Sequence, residues 1–172
     1  IIAILNIYMR WKMKKIFAVA MAVLMIFSFA ACGNKDDNGN SNSNSNLETY
    51  TVSGLTIQME KGLTQATQSG FDAFFSGDRA AMAGVKETAD EFTPLGYDVN
   101  SLSEEDYASM VAEANGFEGF TKNANGRFVY TYVENVEGDD YFYYTTVRKG
   151  SDCFWVINFF CANDDAKEYQ PK

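Results

Sequence analysis

The run CFWVINFFC, residues 153–161, limits the possible folds more than any other stretch of the chain. In an extended strand Cys153, Trp155, Ile157, Phe159 and Cys161 point one way, and Phe154, Val156, Asn158 and Phe160 the other. Both sets are apolar, so the strand needs cover on both faces and belongs in the middle of a sheet. Two further β-rich runs precede it, residues 127–134 and 140–148, set apart by residues 135–139 and by Lys149-Gly150-Ser151-Asp152. Short turn-rich links between such runs predict sequential antiparallel strands.

Upstream, Tyr50 and Val52 alternate before Ser53-Gly54, and Leu55, Ile57 and Met59 alternate with polar residues after it. That pattern predicts two short strands or one bent strand. Phe71, Ala73 and Phe75 are spaced to share a face, and Ser76-Gly77-Asp78 turns the chain into residues 79–86, a hairpin signal. One helix is marked at its start by Ser103 as cap and by Glu104, Glu105 and Asp106, whose carboxylates favour the positive end of the helix dipole. Leu102 and Tyr107 are placed for a hydrophobic staple. Tyr107, Met110, Val111 and Ala114 predict one buried stripe against a sheet, and Asn115-Gly116 the stop.

The fold class expected is α+β, an antiparallel β-sheet with helices packed on its faces. Cys153 and Cys161 stand eight residues apart on one strand, roughly 26 Å at ~3.3 Å per residue, too far for a disulfide. Both are expected to be buried free thiols, so no disulfide is expected.

The beginning of the chain reads as an address. From Met13, Lys14 and Lys15 form a positive segment, residues 16–27 an apolar one, and Ala30-Ala31 stand before Cys32. Residues 13–31 therefore have the layout of a secretory signal. Its apolar stretch, residues 16–31, is shorter than the ~20 residues of a spanning helix. A cysteine directly after Ala-Ala resembles a lipobox, with Phe29 where an aliphatic residue is usual. Cys32 is the expected lipidation site, and the bilayer at the extracytoplasmic face the expected partner. Residues 1–12 are read as upstream sequence or an overlong start, residues 32–48 as lipidated cysteine and flexible Asn/Ser/Gly tether, and residues 49–172 as one folded domain.

Charge supports that division. All 23 acidic residues lie beyond residue 31 with ten of the 14 basic ones, a formal charge of −13 for that part. Such a domain repels phosphate backbones and anionic headgroups, so nucleic acid is not an expected partner. The chain has no histidine, which excludes Ser-His-Asp and Cys-His catalysis and histidine-bearing zinc sites. No nucleophile elbow or phosphate loop occurs; no catalytic residue, metal site or cofactor is assigned. Acid clusters at Asp36-Asp37, Glu137 with Asp139-Asp140, and Asp164-Asp165 lack the spacing of a calcium loop and read as turn and cap chemistry. Tyr130, Tyr132, Tyr141 and Tyr143, with Tyr144 beside them, are the candidate binding residues. The competing reading is that tyrosine simply packs well across strands.

With these residues in view, residues 50–161 resemble the PsbP-like lipoproteins of Gram-positive gut bacteria. The likeness is carried by YTVSGLTIQM, the hairpin around residues 71–86, SLSEEDYASMV and the closing YFYYTTVRKGSDCFWVINFFC. The resemblance implies an antiparallel sheet with helices on its faces and leaves the activity open, because fold does not fix function. Three functions remain as expectations. The first is a membrane-anchored binding or assembly module for a protein or glycan. The second is a carboxylate-dependent cell-envelope enzyme, in which Glu104-Glu105 or Asp139-Asp140 would contribute to an acid pair. The third, an accessory subunit of a membrane complex, is suggested by what some PsbP-like proteins do.

Overall fold

A computed structural model describes residues 47–169. The expected signal, Cys32, Asp36-Asp37 and the tether as far as residue 46 lie outside the described residues. Among the described residues nine strands form two antiparallel sheets. β1 (Leu47–Val52) and β2 (Leu55–Glu60) pair as a separate hairpin. The other seven, β3 (Thr64–Gln65), β4 (Ala73–Ser76), β5 (Ala80–Thr88), β6 (Thr121–Lys122), β7 (Phe128–Val136), β8 (Asp139–Lys149) and β9 (Cys153–Ala162), make one sheet in the order β3-β4-β5-β9-β8-β7-β6. The α+β class follows from these pairings and from the helix described below. The first strand starts at Leu47, inside the segment expected to be tether.

The run that is apolar on both sides is central: β9 pairs with β5 along Ala80–Thr88 and with β8 on its other edge. One sheet face carries Cys153, Trp155 and Ile157, with Phe75 and Met82 from neighbouring strands. The β1–β2 hairpin covers it with Leu55, Met59, Tyr50, Val52 and Ile57. Ser53 and Gly54 both adopt positive φ, which closes that hairpin as two strands rather than one bent strand. Gly84 lies beneath the Trp155 ring, where an added Cβ would meet indole carbons at 3.3 Å.

α1 (Ala89–Phe92) follows directly from β5, and α2 (Glu104–Asn115) crosses the opposite face. Ser103 caps α2 by accepting from the Asp106 amide, and the Asp106 carboxylate accepts from the Ser103 amide in return. The Ser103 hydroxyl also donates to the Asp106 carboxylate at 2.6 Å, and this bond first, then the one from the Ser103 amide, holds the Asp106 carboxyl below its usual range. Leu102 and Tyr107 meet in one cluster, as the staple requires. The buried stripe is Tyr107, Ala108, Val111 and Ala112, turned from the expected one; Met110 and Ala114 lie at its flank. The small Ala108 packs in one cluster with Val147, Phe154 and Val156, and Ala112 is buried as well.

Phe71 also departs from expectation. Its amide donates to the Gln68 carbonyl in a turn, and β4 begins only at Ala73. Strand alternation therefore does not reach back to it, and its ring stacks on Phe74, on the face opposite Phe75.

Tyr107 donates its hydroxyl to Glu87 Oε2 at 2.9 Å, tying α2 to β5. Burial raises the Glu87 pKa above its usual 4.5; the Tyr107 bond opposes the shift and Glu91 adds to it. A raised carboxyl pKa means the folded state holds its proton longer than the unfolded state, so this group's contribution falls as pH rises through that window. Glu87→Gln keeps an acceptor for Tyr107 without the buried charge. The variant is expected to melt above wild type at pH 7 and to converge with it below pH 4.5; thermal unfolding at the two pH values measures this.

Candidate functional site: an aromatic row on the sheet

The α2 face of the sheet is divided. α2 and Phe92 cover Phe154, Val156 and Val147, while beyond them the face is paved with aromatic side chains. Register explains the paving. Tyr132 on β7 is opposite Tyr143 on β8, and Tyr143 is opposite Phe160 on β9. Their rings stack at 4.7 Å and 5.7 Å, the first matching the ~4.8 Å between neighbouring strands. Phe117, in the loop after α2, stacks on Tyr130 at 4.2 Å and tilts against Tyr132 at 5.6 Å; Phe120 closes on Tyr130 at 6.1 Å.

The four tyrosines singled out from the sequence thus share one face but not one role. Tyr143 is only 2% exposed and acts as the floor of the row. Tyr130 and Tyr132 are half-buried, as are Phe117 and Phe120. Tyr141 packs at the far side of the same cluster. Tyr144 points to the other face with Phe142 and Phe159, where its hydroxyl accepts from Asn123. Phe117 and Phe120 belong to the surface although sequence reasoning passed over them. Two aromatics in a glycine-containing loop directly after a helix stop were the signal available.

Because the rings occupy one another's faces, the row offers outward its edges and phenol groups. Among the described residues neither the Tyr130 nor the Tyr132 hydroxyl has a hydrogen-bond partner. Burial first, then Tyr143 and Glu134, pushes the Tyr132 pKa up; Tyr143 is pushed up to about 12 by burial and then by Glu134. Tyr132 and Tyr143 therefore remain protonated donors. Deeper between the two halves of the face, Thr145 donates to Asn158 Oδ1 at 2.7 Å.

Of the acids considered for other chemistry, Glu104, Glu105, Asp140 and Asp165 are held in structural contacts. Glu104 lies 3.3 Å from Arg148 and accepts from the Lys149 amide; Glu105 lies 3.5 Å from Lys122. Asn135 bridges the β7–β8 turn, donating to Asp140 and accepting from the Gly138 amide. Asp165 takes a bidentate bond from Arg79, with contacts of 2.6 and 3.2 Å. A hollow of about 140 Å³ lies beside that pair, lined by Tyr141, Phe160 and Cys161 among others. It is below the roughly 300 Å³ at which small-molecule pockets begin. Cys153 and Cys161 are buried free thiols; burial, with Asp165 adding and Arg79 opposing, pushes Cys161 up to about 11. Among the described residues no group of three metal-ligating side chains is gathered, and no helix is long and apolar enough to cross a membrane.

No protein-family model and no curated protein matches the sequence. Among solved structures, the chain is similar to the cyanobacterial PsbP (CyanoP) of Synechocystis sp. PCC 6803, at 13% identity and a TM-score of 0.38, over 83% of this chain and 91% of that one. At that distance the likeness carries neither chemistry nor partners across.

Proposed function

We propose that the chain is a lipid-tethered extracytoplasmic binding module, attached through Cys32, whose contact surface is the aromatic row around Tyr130, Tyr132 and Phe117. The observation that carries this reading is the pair of half-buried phenols, held rigid by stacking and lacking partners among the described residues. Rings fixed in this way lose little conformational entropy on binding, and each offers an apolar edge beside a hydrogen-bonding group, the combination that enriches tyrosine at interfaces. The outward-facing edges favour a protein ligand over a glycan, which would need a free ring face to stack on.

The double variant Tyr130→Phe/Tyr132→Phe keeps the rings and removes the hydroxyls. Losing two hydrogen bonds of about 1 kcal/mol each weakens binding roughly tenfold or more. Residues 33–172 would be used to capture envelope proteins and to probe a glycan array, and the affinity of the recovered ligand measured for both forms. Unchanged affinity, or no ligand recovered from either source, would defeat the proposal.

A further inference from the structure

The seven-stranded sheet ends in two different ways. On one side β3 is only Thr64–Gln65, a short edge of the kind that resists further pairing. On the other, β6 pairs β7 only at Phe128 and Val129, so among the described residues 130–136 form an open edge. The orientation of that edge is fixed by its neighbours. Asn123 donates its amide to the Arg127 carbonyl and Thr121 its hydroxyl to the Val129 carbonyl, while Thr146 on β8 donates to the Phe128 carbonyl. Odd-numbered residues therefore turn their backbone groups outward and even-numbered ones turn inward. Thr131, Val133 and Asn135 present amides and carbonyls to the open side. Within residues 130–136 there is no lysine or proline, and Val133 is 51% exposed.

We propose that this edge pairs with the same edge of a second copy, antiparallel about a two-fold axis at Val133, joining two sheets into one. The open stretch is symmetric about that residue. Val133 would oppose Val133 of the second copy in a hydrogen-bonded pair, and Thr131 would oppose Asn135, each exchanging both backbone bonds. The stretch also ends where such pairing must end, at β6 on one side and at the Glu137-Gly138 turn on the other. Charge agrees with the direction. In this register the acidic turn of one copy, with Glu137, Asp139 and Asp140, arrives beside Arg127 and Lys122 of the other. On the aromatic face Tyr132 comes opposite Glu134, which gives its phenol an acceptor. Confinement to a membrane surface would raise the effective concentration for this contact.

The test uses residues 33–172, the chain expected after processing less its acylated cysteine. Sedimentation velocity over a concentration series is expected to show a monomer–dimer equilibrium. Hydrogen exchange is expected to show Thr131, Val133 and Asn135 amides slowing as the dimer forms. Val133→Pro removes an outward amide while leaving the β7–β8 ladder intact, and should weaken dimerisation at least tenfold with an unchanged circular dichroism spectrum. Should that variant fail to fold, Val133→Cys serves instead. Mild oxidation should link it to itself, because a hydrogen-bonded antiparallel pair sets Cα atoms about 5.5 Å apart, whereas Thr131→Cys should not self-link. A chain that stays monomeric with fast-exchanging edge amides overturns the proposal. So does a dimer indifferent to Val133→Pro, or an edge protected only when another protein is added.

Discussion

Phe154→Ala should cost about 3–5 kcal/mol of folding free energy, the usual range for emptying a phenylalanine site in a packed core. The side chain is 0% exposed, at the crossing of β9 with α2. Its ring stacks on Tyr107 at 4.4 Å, meets Phe92 edge-on at 5.7 Å, and lies 5.6 Å beneath the Lys149 ammonium. Truncation would leave Tyr107 with an empty face just where its hydroxyl ties the helix to Glu87. Against a total stability of roughly 5–15 kcal/mol, such a loss leaves little margin. Urea denaturation of wild type and variant measures it; a difference under about 1 kcal/mol would mean that the helix does not rest on this residue.

What could be read from the sequence is what depends on local rules. The period of two in residues 153–161 identified the central strand because both of its faces must be buried, and the structure pairs that strand on both edges. Ser103 and the acids after it marked the start of α2, since capping is decided within four residues. The stripe on α2 was harder to locate. Leu and Met carry more weight than Ala in a hydrophobic pattern, yet close packing on a sheet selects Ala108 and Ala112. Phe71 was misplaced because alternation holds only inside a strand and says nothing of where the strand begins. Strands as short as β3 and β6 exist only through the neighbours they pair with, so no periodicity announces them.

The same limit applies to the candidate site. Tyrosine content in β7 and β8 was visible, but register decides which rings meet. It places Tyr132 on Tyr143 and Phe160, and sends Tyr144 to the other face. Phe117 and Phe120 reach the row through a loop, a long-range contact without a local signature. Open edges such as that of β7 appear only once the strand order is known.

The proposed attachment through Cys32 rests on different physics. A domain of formal charge −13 is repelled by anionic headgroups, so the membrane contact we propose would have to be supplied by lipid. Acyl chains contribute about 0.8 kcal/mol per buried methylene, and two chains suffice for stable anchoring without any basic patch. Cys32→Ala is accordingly expected to move almost all of the protein out of the membrane fraction, the largest change of location that any single substitution here should produce. The decisive measurement pairs that fractionation with intact-mass analysis of the wild-type protein. The expected result is a membrane-bound wild-type chain that begins at an acylated Cys32, beside a released variant. A wild-type chain without lipid on Cys32, or a fully processed variant that remains in the membrane, would contradict a lipid-tethered module.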